Sequence, residues 1–284
     1  MRPLLAVDGD SFAHRAYHAL PKSIVRADGR PAGAIVGFAN LLVRLWQQER
    51  PRAVLVGWDS LGEPTYRTEA FPGYQAGRQF DTALLEQLAL LPDVVVAFGF
   101  ACAKAPGYEA DDFLAAAVAR QEAEGRRTLV ATSDRDAFQL ASELTTILQP
   151  IRGVSVLARI GPQEVYERYG VRPHQVADFI ALRGDPSDRI PGARGVGAKA
   201  AASVLERYGS LEAALAAGRF SAQAEELRLY RRIATLDASA PLPSLADQSP
   251  TWAEASSLVG SWGLAGLAER LAEIAEDGGS RSSS

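Results

Sequence analysis

The sequence predicts an α/β fold: a mostly parallel central sheet flanked by helices, followed by an all-helical C-terminal part. Three observations lead there. Short, unbroken apolar runs recur in the first half, at Leu4–Val7, Ala53–Val56 and Thr128–Ala131. They are too apolar for half-exposed strands and suit a sheet covered on both faces. Helical spacing lies between the first two, with Ile35, Phe38, Leu42, Leu45 and Trp46 along one side of residues 34–49. After Pro150 and Gly153 the strand signal fades, and from Gly161 onwards helical segments follow one another.

Taken in order, Leu4 to Val7 reads as a buried strand and Asp8-Gly9-Asp10-Ser11 as a turn. Phe12 to Leu20 reads as a helix carrying Arg15, and Gly29 to Gly33 as a loop. Ala34 to Glu49 is a helix stopped by Pro51, and Ala53 to Gly57 a second buried strand running to Asp59. This strand–helix–strand order predicts a βαβ unit, with Asp8 and Asp59 at the carboxyl ends of parallel strands, where open α/β sheets place their sites. Residues 60–82 change to Gly, Pro, Tyr, Arg and Gln, with basic and aromatic residues interleaved. A segment contacting phosphates and stacking on bases has this composition, and so has a plain surface loop. Ala83 to Leu91 predicts a short helix and Val94 to Phe98 a strand. Ala110 to Glu124 is the clearest helix, and Thr128 to Thr132 a further strand leading into Ser133-Asp134-Arg135-Asp136. Helices are expected at Gln163–Tyr169, Gln175–Leu182, Ala200–Tyr208, Ser210–Ala217 and Ala224–Thr235. The resulting division is an α/β domain over 1–172, a helical domain over 173–276, and a disordered tail over 277–284 rich in Gly and Ser.

Composition narrows the function. With 47% hydrophobic and 23% charged residues over 284 positions, the chain is globular. No apolar run is long enough for a secretion signal or membrane span. The single cysteine, Cys102, suits a cytoplasmic setting and excludes an internal disulfide. The net charge of −4 does not mark a nucleic-acid binder, unless many of the acids gather in one site neutralised by metal. No G-x-x-x-x-G-K-S/T loop is present, and the three His and one Cys have no zinc spacing.

The acids carry the chemistry. Pro106 to Asp112 packs Glu109, Asp111 and Asp112 into four residues after a Pro-Gly turn, and Asp8, Asp59, Asp134 and Asp136 follow apolar strands. Helix-start acids favoured by the macrodipole explain the first group alone, but not the others. Two carboxylates about 4 Å apart repel by about 4 kcal/mol at an effective dielectric near 20, so such a cluster needs cations. All-oxygen ligands select Mg²⁺ or Mn²⁺, and a pair of such ions hydrolyses phosphodiesters by in-line displacement. Further along, the glycine hairpin Pro191 to Lys199 precedes a helix, and its backbone N–H groups suit a phosphate.

These motifs resemble the 5′-nuclease family, the flap endonucleases and 5′–3′ exonucleases that include the N-terminal domain of bacterial DNA polymerase I. The colinear match comprises Val7-Asp8-Gly9 with Arg15, Asp59 with Tyr66-Arg67, Gly73 to Arg78, Pro106 to Asp112, Thr132 to Asp136, Gly184 to Pro191 and Gly192 to Lys199. The resemblance implies a helical arch over the site at about 60–92 and a helix–hairpin–helix-type element behind it. It implies one metal surrounded by Asp8, Asp59, Glu109 and Asp111, and a second held by Asp134, Asp136 and Asp185 with Asp188 and Asp112 close by. Arg67 and Arg78 become catalytic candidates. Arg15, Tyr74, Gln75, Arg78, Gly192, Gly195, Gly197 and Lys199 become DNA-binding candidates, with a K⁺ at the hairpin in relatives. The implied activity is two-metal, structure-selective 5′–3′ exonuclease or flap endonuclease cleavage in replication and repair, by a stand-alone monomer. Its implied partners are DNA with a 5′ flap or single-strand/duplex junction, or an RNA primer–DNA hybrid, and a DNA polymerase. Two departures stand out: Gln75 where the family has Lys, and Arg189 where bacterial relatives have Asn. Two other readings stay open: a non-catalytic junction-binding protein, and a haloacid-dehalogenase-like phosphatase using Asp8 and Asp10.

Overall fold

The computed structural model describes residues 2–77, 79–152 and 156–281. Six strands form one sheet: β1 (Leu4–Asp8), β2 (Ala53–Gly57), β3 (Ala101–Ala103), β4 (Thr128–Ala131), β5 (Thr145–Arg152) and β6 (Val156–Ile160). Their spatial order is β3-β2-β1-β4-β5-β6, parallel throughout except for the β5–β6 pair. The chain moves outward from β1 through β2 to β3, then returns to pair β4 on the other side of β1. That reversal opens a crevice at the carboxyl ends of β1 and β4, where open α/β sheets bind ligands.

Both sheet faces are covered. α1 (Gly9–Ala19), α2 (Gly33–Glu49) and α4 (Thr82–Ala97) share one core with Leu5, Val7, Val54 and Val56. α5 (Ala110–Ala123) packs its Leu114 and Val118 with Ala6 and Val130 on the other face. That second core continues into α6 (Pro162–Tyr169), α7 (Val176–Arg183), α8 (Ala198–Tyr208), α9 (Leu211–Ala216) and α10 (Ala224–Ala234). No helix among the described residues is long and apolar enough to cross a membrane.

The structure corrects several expectations. Val94 to Phe98 is not a strand: α4 runs through Pro92 to Ala97, burying Leu84, Leu88, Leu91, Val94 and Val95 along one side. Packing against α2 and the C-terminal helices overrides the β-propensity of the valines. The strand on that side is the shorter β3. β6, also unexpected, pairs as an antiparallel edge. The segment expected to arch over the site comprises α3 (Tyr66–Ala70), turns through Gly77, and the first part of α4. The end of the chain is α11 (Trp252–Ser261) and α12 (Ala265–Arg281). α12 therefore carries helix to Arg281, beyond the Asp277 where a disordered tail was expected; residues 282–284 lie outside the described ones.

α11 and α12 return to the α/β layer instead of joining α7–α10. Their Trp252, Val259, Leu267 and Leu271 sit in the same core as α2 and α4. The Trp252 ring meets Phe98, Phe100 and Trp46 with centroids at 5.2, 5.9 and 6.4 Å. The connection before them is stapled by buried Arg52, which donates to the Leu245 carbonyl at 2.6 Å and to Gln121 at 2.7 Å. Gln248 accepts from Val54 N at 2.8 Å, ahead of the stretch of β2 that β3 pairs. Trp252→Ala is expected to destabilise the protein by about 3 kcal/mol in urea denaturation, because the cavity opens inside an aromatic cluster. A loss below about 1 kcal/mol would show that these helices do not share the core.

Candidate active site

Asp8 ends β1 and caps α1, accepting from Ser11 N at 2.9 Å and from Thr132 Oγ1 at 2.7 Å. Its register partner on β2 is Gly57, two residues before Asp59, and on β4 the neighbouring Val7 pairs Ala131, three residues before Asp134. The strands thus set the spacing of these acids. Burial, with the Asp59 and Asp134 charges adding to it, pushes the Asp8 carboxyl up to about 7 against the Ser11 and Thr132 hydrogen bonds. Asp59 is tied twice: its N–H donates to Asp10 Oδ2 at 2.7 Å, and its Oδ1 accepts from Ala110 N at 2.8 Å at the start of α5. Asp10, absent from the acid set read from sequence, is 6% exposed in the same cleft, and its carboxyl is raised by burial and then by Asp59. Its signal in the sequence was its place two residues after Asp8, on a turn that folds as the first turn of α1.

The three acids of Glu109-Ala-Asp-Asp separate. Glu109 precedes α5, accepting from Thr65 Oγ1 and Tyr74 Oη at 3.0 Å each. Asp111 faces the cleft, with Oδ1 3.3 Å from Arg67 Nη2 and no hydrogen-bond donor. Asp112 is fully buried and turned away, gripped by Arg67 through Nη1–Oδ2 at 2.9 Å and Nη2–Oδ1 at 2.8 Å. It also accepts from Glu109 N, Asp237 N and Tyr66 Oη. This corrects its expected place among the metal-side acids: its oxygens are used by the protein.

Arg67 is corrected with it. At 1% exposure it cannot touch a substrate. It bridges Asp112, Glu109 (3.2 Å) and Asp111, and its Nε donates to the Ile233 carbonyl of α10 at 3.1 Å. It is a positioning residue that locks α3, α5 and α10 together behind the cleft.

Asp134, Asp185 and Asp188 complete the open cleft of about 1220 Å³, and Asp136 is buried beside them. Burial, then the charges of Asp134, Asp188 and Asp185, raise the Asp136 carboxyl. Asp185 pairs with Arg183 Nη2 at 3.1 Å and accepts from Ser187 N at 2.8 Å. Gln75 Nε2 donates to Asp188 Oδ1 at 2.8 Å and to Tyr74 Oη at 3.0 Å. Tyr74 is 5% exposed, so it orients Glu109 and does not offer a ring for stacking. Arg15 lines the wall formed by α1, and Arg78 lies outside the described residues.

The hairpin divides by function of its glycines. Gly192 (φ 76°) is buried against Gly184, where a Cβ would meet the Gly184 nitrogen at 2.4 Å, so it serves close backbone packing at the base of the hairpin. Gly195, Gly197 and Lys199 are exposed at the start of α8. Arg189 adopts φ 59°, a left-handed backbone that Asn tolerates better than Arg.

Two predictions follow from this geometry. Arg67→Met is expected to cost about 3–5 kcal/mol in chemical denaturation, because it strands buried Asp112, and Arg67→Lys to recover only part, lacking the two-pronged grip. Full recovery by Lys would contradict the bidentate role. Asp8 holds its proton in the folded chain to about pH 7 against an ordinary 3.8, so the stability it contributes is complete below about pH 4 and lost by about pH 7. In metal-free protein, Asp8→Asn should flatten the fall in stability across that window by about 2–4 kcal/mol. An unchanged pH profile would contradict it.

Comparison with known proteins identifies the family. The 5′–3′ exonuclease N-terminal resolvase-like domain matches residues 3–170, and the 5′–3′ exonuclease C-terminal SAM fold matches 171–256. DNA polymerase I of Mycobacterium bovis is 41% identical over 210 residues, covering 73% of this chain and 23% of that protein. The thermostable DNA polymerase I of Thermus thermophilus is 37% identical over 250 residues, 84% of this chain and 29% of that one. The chain thus spans about a quarter of the length of these relatives. T5 5′-exonuclease, solved with zinc as divalent metal ions, superposes with a TM-score of 0.69 at 20% identity, over 96% of this chain and all of that one. At that identity the likeness shows the shared fold: mostly parallel α/β sheet and helical C-terminal part. On the two matched domains, the chain belongs to the 5′–3′ exonuclease family.

Proposed function

We propose that the protein hydrolyses DNA phosphodiesters near single-strand/duplex junctions, as a divalent-metal-dependent 5′–3′ exonuclease or flap endonuclease acting in replication and repair. The observation that carries this reading is the cleft itself: nine carboxylates from several strand and helix ends line it, against three arginines among the described residues. Such crowding suits cations. The donors are carboxylates, which favour Mg²⁺ or Mn²⁺, and Asp111 lines the cleft with its buried Oδ1 beside Arg67 and without a hydrogen-bond donor. As the side chains stand, no three of these groups among the described residues converge tightly enough to enclose an ion, so binding requires some of them to rotate. When bound, such ions supply an activated water and charge stabilisation for an in-line displacement.

The chain's own residues arrange that chemistry. Asp8, Asp59, Glu109, Asp111, Asp134 and Asp185 are the proposed ligands, with Asp136 and Asp188 beside them; Asp10 holds the Asp59 backbone, and Tyr74 holds Glu109. The exposed hairpin at Gly195–Lys199 is the proposed duplex contact, which positions without reading sequence. DNA with a 5′ flap is the proposed substrate. A T5 D15 flap endonuclease variant of the same fold has been solved as a pseudo-enzyme-product complex with DNA and metal ions.

A 5′-labelled double-flap DNA incubated with Mg²⁺, Mn²⁺ or EDTA tests the reading. Cleavage at the junction is expected with either metal and none with EDTA, and Asp134→Ala should lower the rate by at least about 100-fold. Binding without cleavage in either metal would favour the non-catalytic junction binder. Gln75 donates to Asp188 where a cation would add charge for the scissile phosphate, so Gln75→Lys is expected to raise the single-turnover rate. An unchanged or lower rate would reject that role.

A further inference from the structure

The cations of the cleft are unevenly placed. Arg15 stands on α1, whereas Arg135 and Arg183 both line the rim beside Asp134 and Asp185. Arg135 is exposed, and Arg183 at the end of α7 has a quarter of its side chain exposed. Asp185 accounts for one Arg183 nitrogen, and the Gly184 carbonyl accepts from its Nε at 2.9 Å. Neither arginine is enclosed by the core, so the fold itself does not require two guanidiniums at this rim.

Both connect to a run of packed rings, Arg183 through a ring face and Arg135 through a hydrogen bond to Tyr169. The Arg183 guanidinium lies 5.4 Å from the Phe179 ring centre, and Phe179 stacks on Tyr169 at 5.3 Å and 27°. Tyr169 packs in turn on Phe138 at 5.7 Å. The charges of Arg135 and Arg183 both oppose the upward push of burial on the Tyr169 pKa. This rack restrains two long side chains that would otherwise lose rotamer freedom on binding an anion.

We propose that Arg135 and Arg183 form a phosphate clamp on the Asp134–Asp185 rim, gripping a backbone phosphodiester of the nucleic-acid strand that enters the cleft. The inference rests on the nuclease reading. A polyanion approaching nine carboxylates is repelled wherever no cation meets it, and planar guanidinium forks match phosphate oxygens. The contact carries no base information, so it strengthens binding to every sequence alike.

Fluorescence anisotropy with a 5′-flap DNA in Ca²⁺, over a series of KCl concentrations, tests it. Wild type, Arg135→Gln, Arg183→Gln, the double variant and Arg183→Lys are compared, with thermal melts alongside. Each Gln variant should weaken binding by about 3–10-fold and flatten the log K against log salt slope by about 0.7–0.9, while Arg183→Lys keeps the slope. A single methylphosphonate linkage, scanned along the flap strand, should weaken wild type at one position and leave the double variant no weaker there. Loss of the Asp185 ion pair alone would shift melting without changing the slope. Unchanged slopes in the Gln variants would overturn the clamp, as would a Lys variant as flat as Gln. Should Arg183→Gln fail to fold, the exposed Arg135→Gln carries the test by itself. Wild type that binds no flap DNA in Ca²⁺ or Mg²⁺ would instead defeat the nuclease reading.

Discussion

Mutual repulsion among carboxylates at the ends of β1, β2 and β4 is the constraint around which the molecule is built. The sheet reversal between β1 and β4 brings these acids to one crevice, and burial raises Asp8, Asp10, Asp111 and Asp136 further. The protein offsets part of that cost internally. Arg67 supplies a buried positive charge to Glu109, Asp111 and Asp112 at once, while N–H and hydroxyl donors from Ser11, Thr65, Tyr74, Ala110 and Thr132 take up other oxygens. What remains unbalanced is concentrated on the cleft side, where a cation can reach it.

The same network ties catalytic geometry to the helical part of the chain. Arg67 donates to the Ile233 carbonyl, Tyr66 to Thr235, and Asp112 accepts from Asp237 N, so the end of α10 is fastened to the first turn of α5. Displacing α10 would therefore disturb Glu109 and Asp111, which gives the helical part a mechanical hold on the site in addition to carrying the proposed duplex contact. Close backbone packing of Gly184 on Gly192 fixes the hairpin to the loop that carries Asp185 and Asp188.

Much of this was legible in the sequence, for identifiable reasons. Unbroken apolar runs stopped by Asp8 and Asp59 announce buried parallel strands with acids at their carboxyl ends, and colinear motifs announce the family. What sequence hides is direction. Asp111 and Asp112 differ by one helical step, and that step turns one into the cleft and the other onto Arg67. Arg67 and Tyr74 read as substrate contacts because their partners, 35–166 positions away, are set by tertiary packing. The valines after Pro92 read as strand because their burial against α11 depends on residues more than 150 positions later. Asp10 stood outside the metal-side acids because its role, accepting from the Asp59 backbone N–H 49 positions away, is set by tertiary packing.

Proton release on metal binding tests the central claim most directly. Calorimetric titration of the metal-free protein with Mg²⁺ or Mn²⁺ at pH 7, in buffers of different ionisation enthalpy, counts the protons displaced per ion. Carboxyls crowded and buried enough to stay partly protonated at that pH must lose their protons to become ligands, so the account predicts release of a measurable fraction of a proton or more per chain, and less in Asp8→Asn. Saturable metal binding with no proton release at pH 7 would contradict it, because the acids would then already be ionised in the metal-free protein and burial and mutual repulsion would not be holding protons on them.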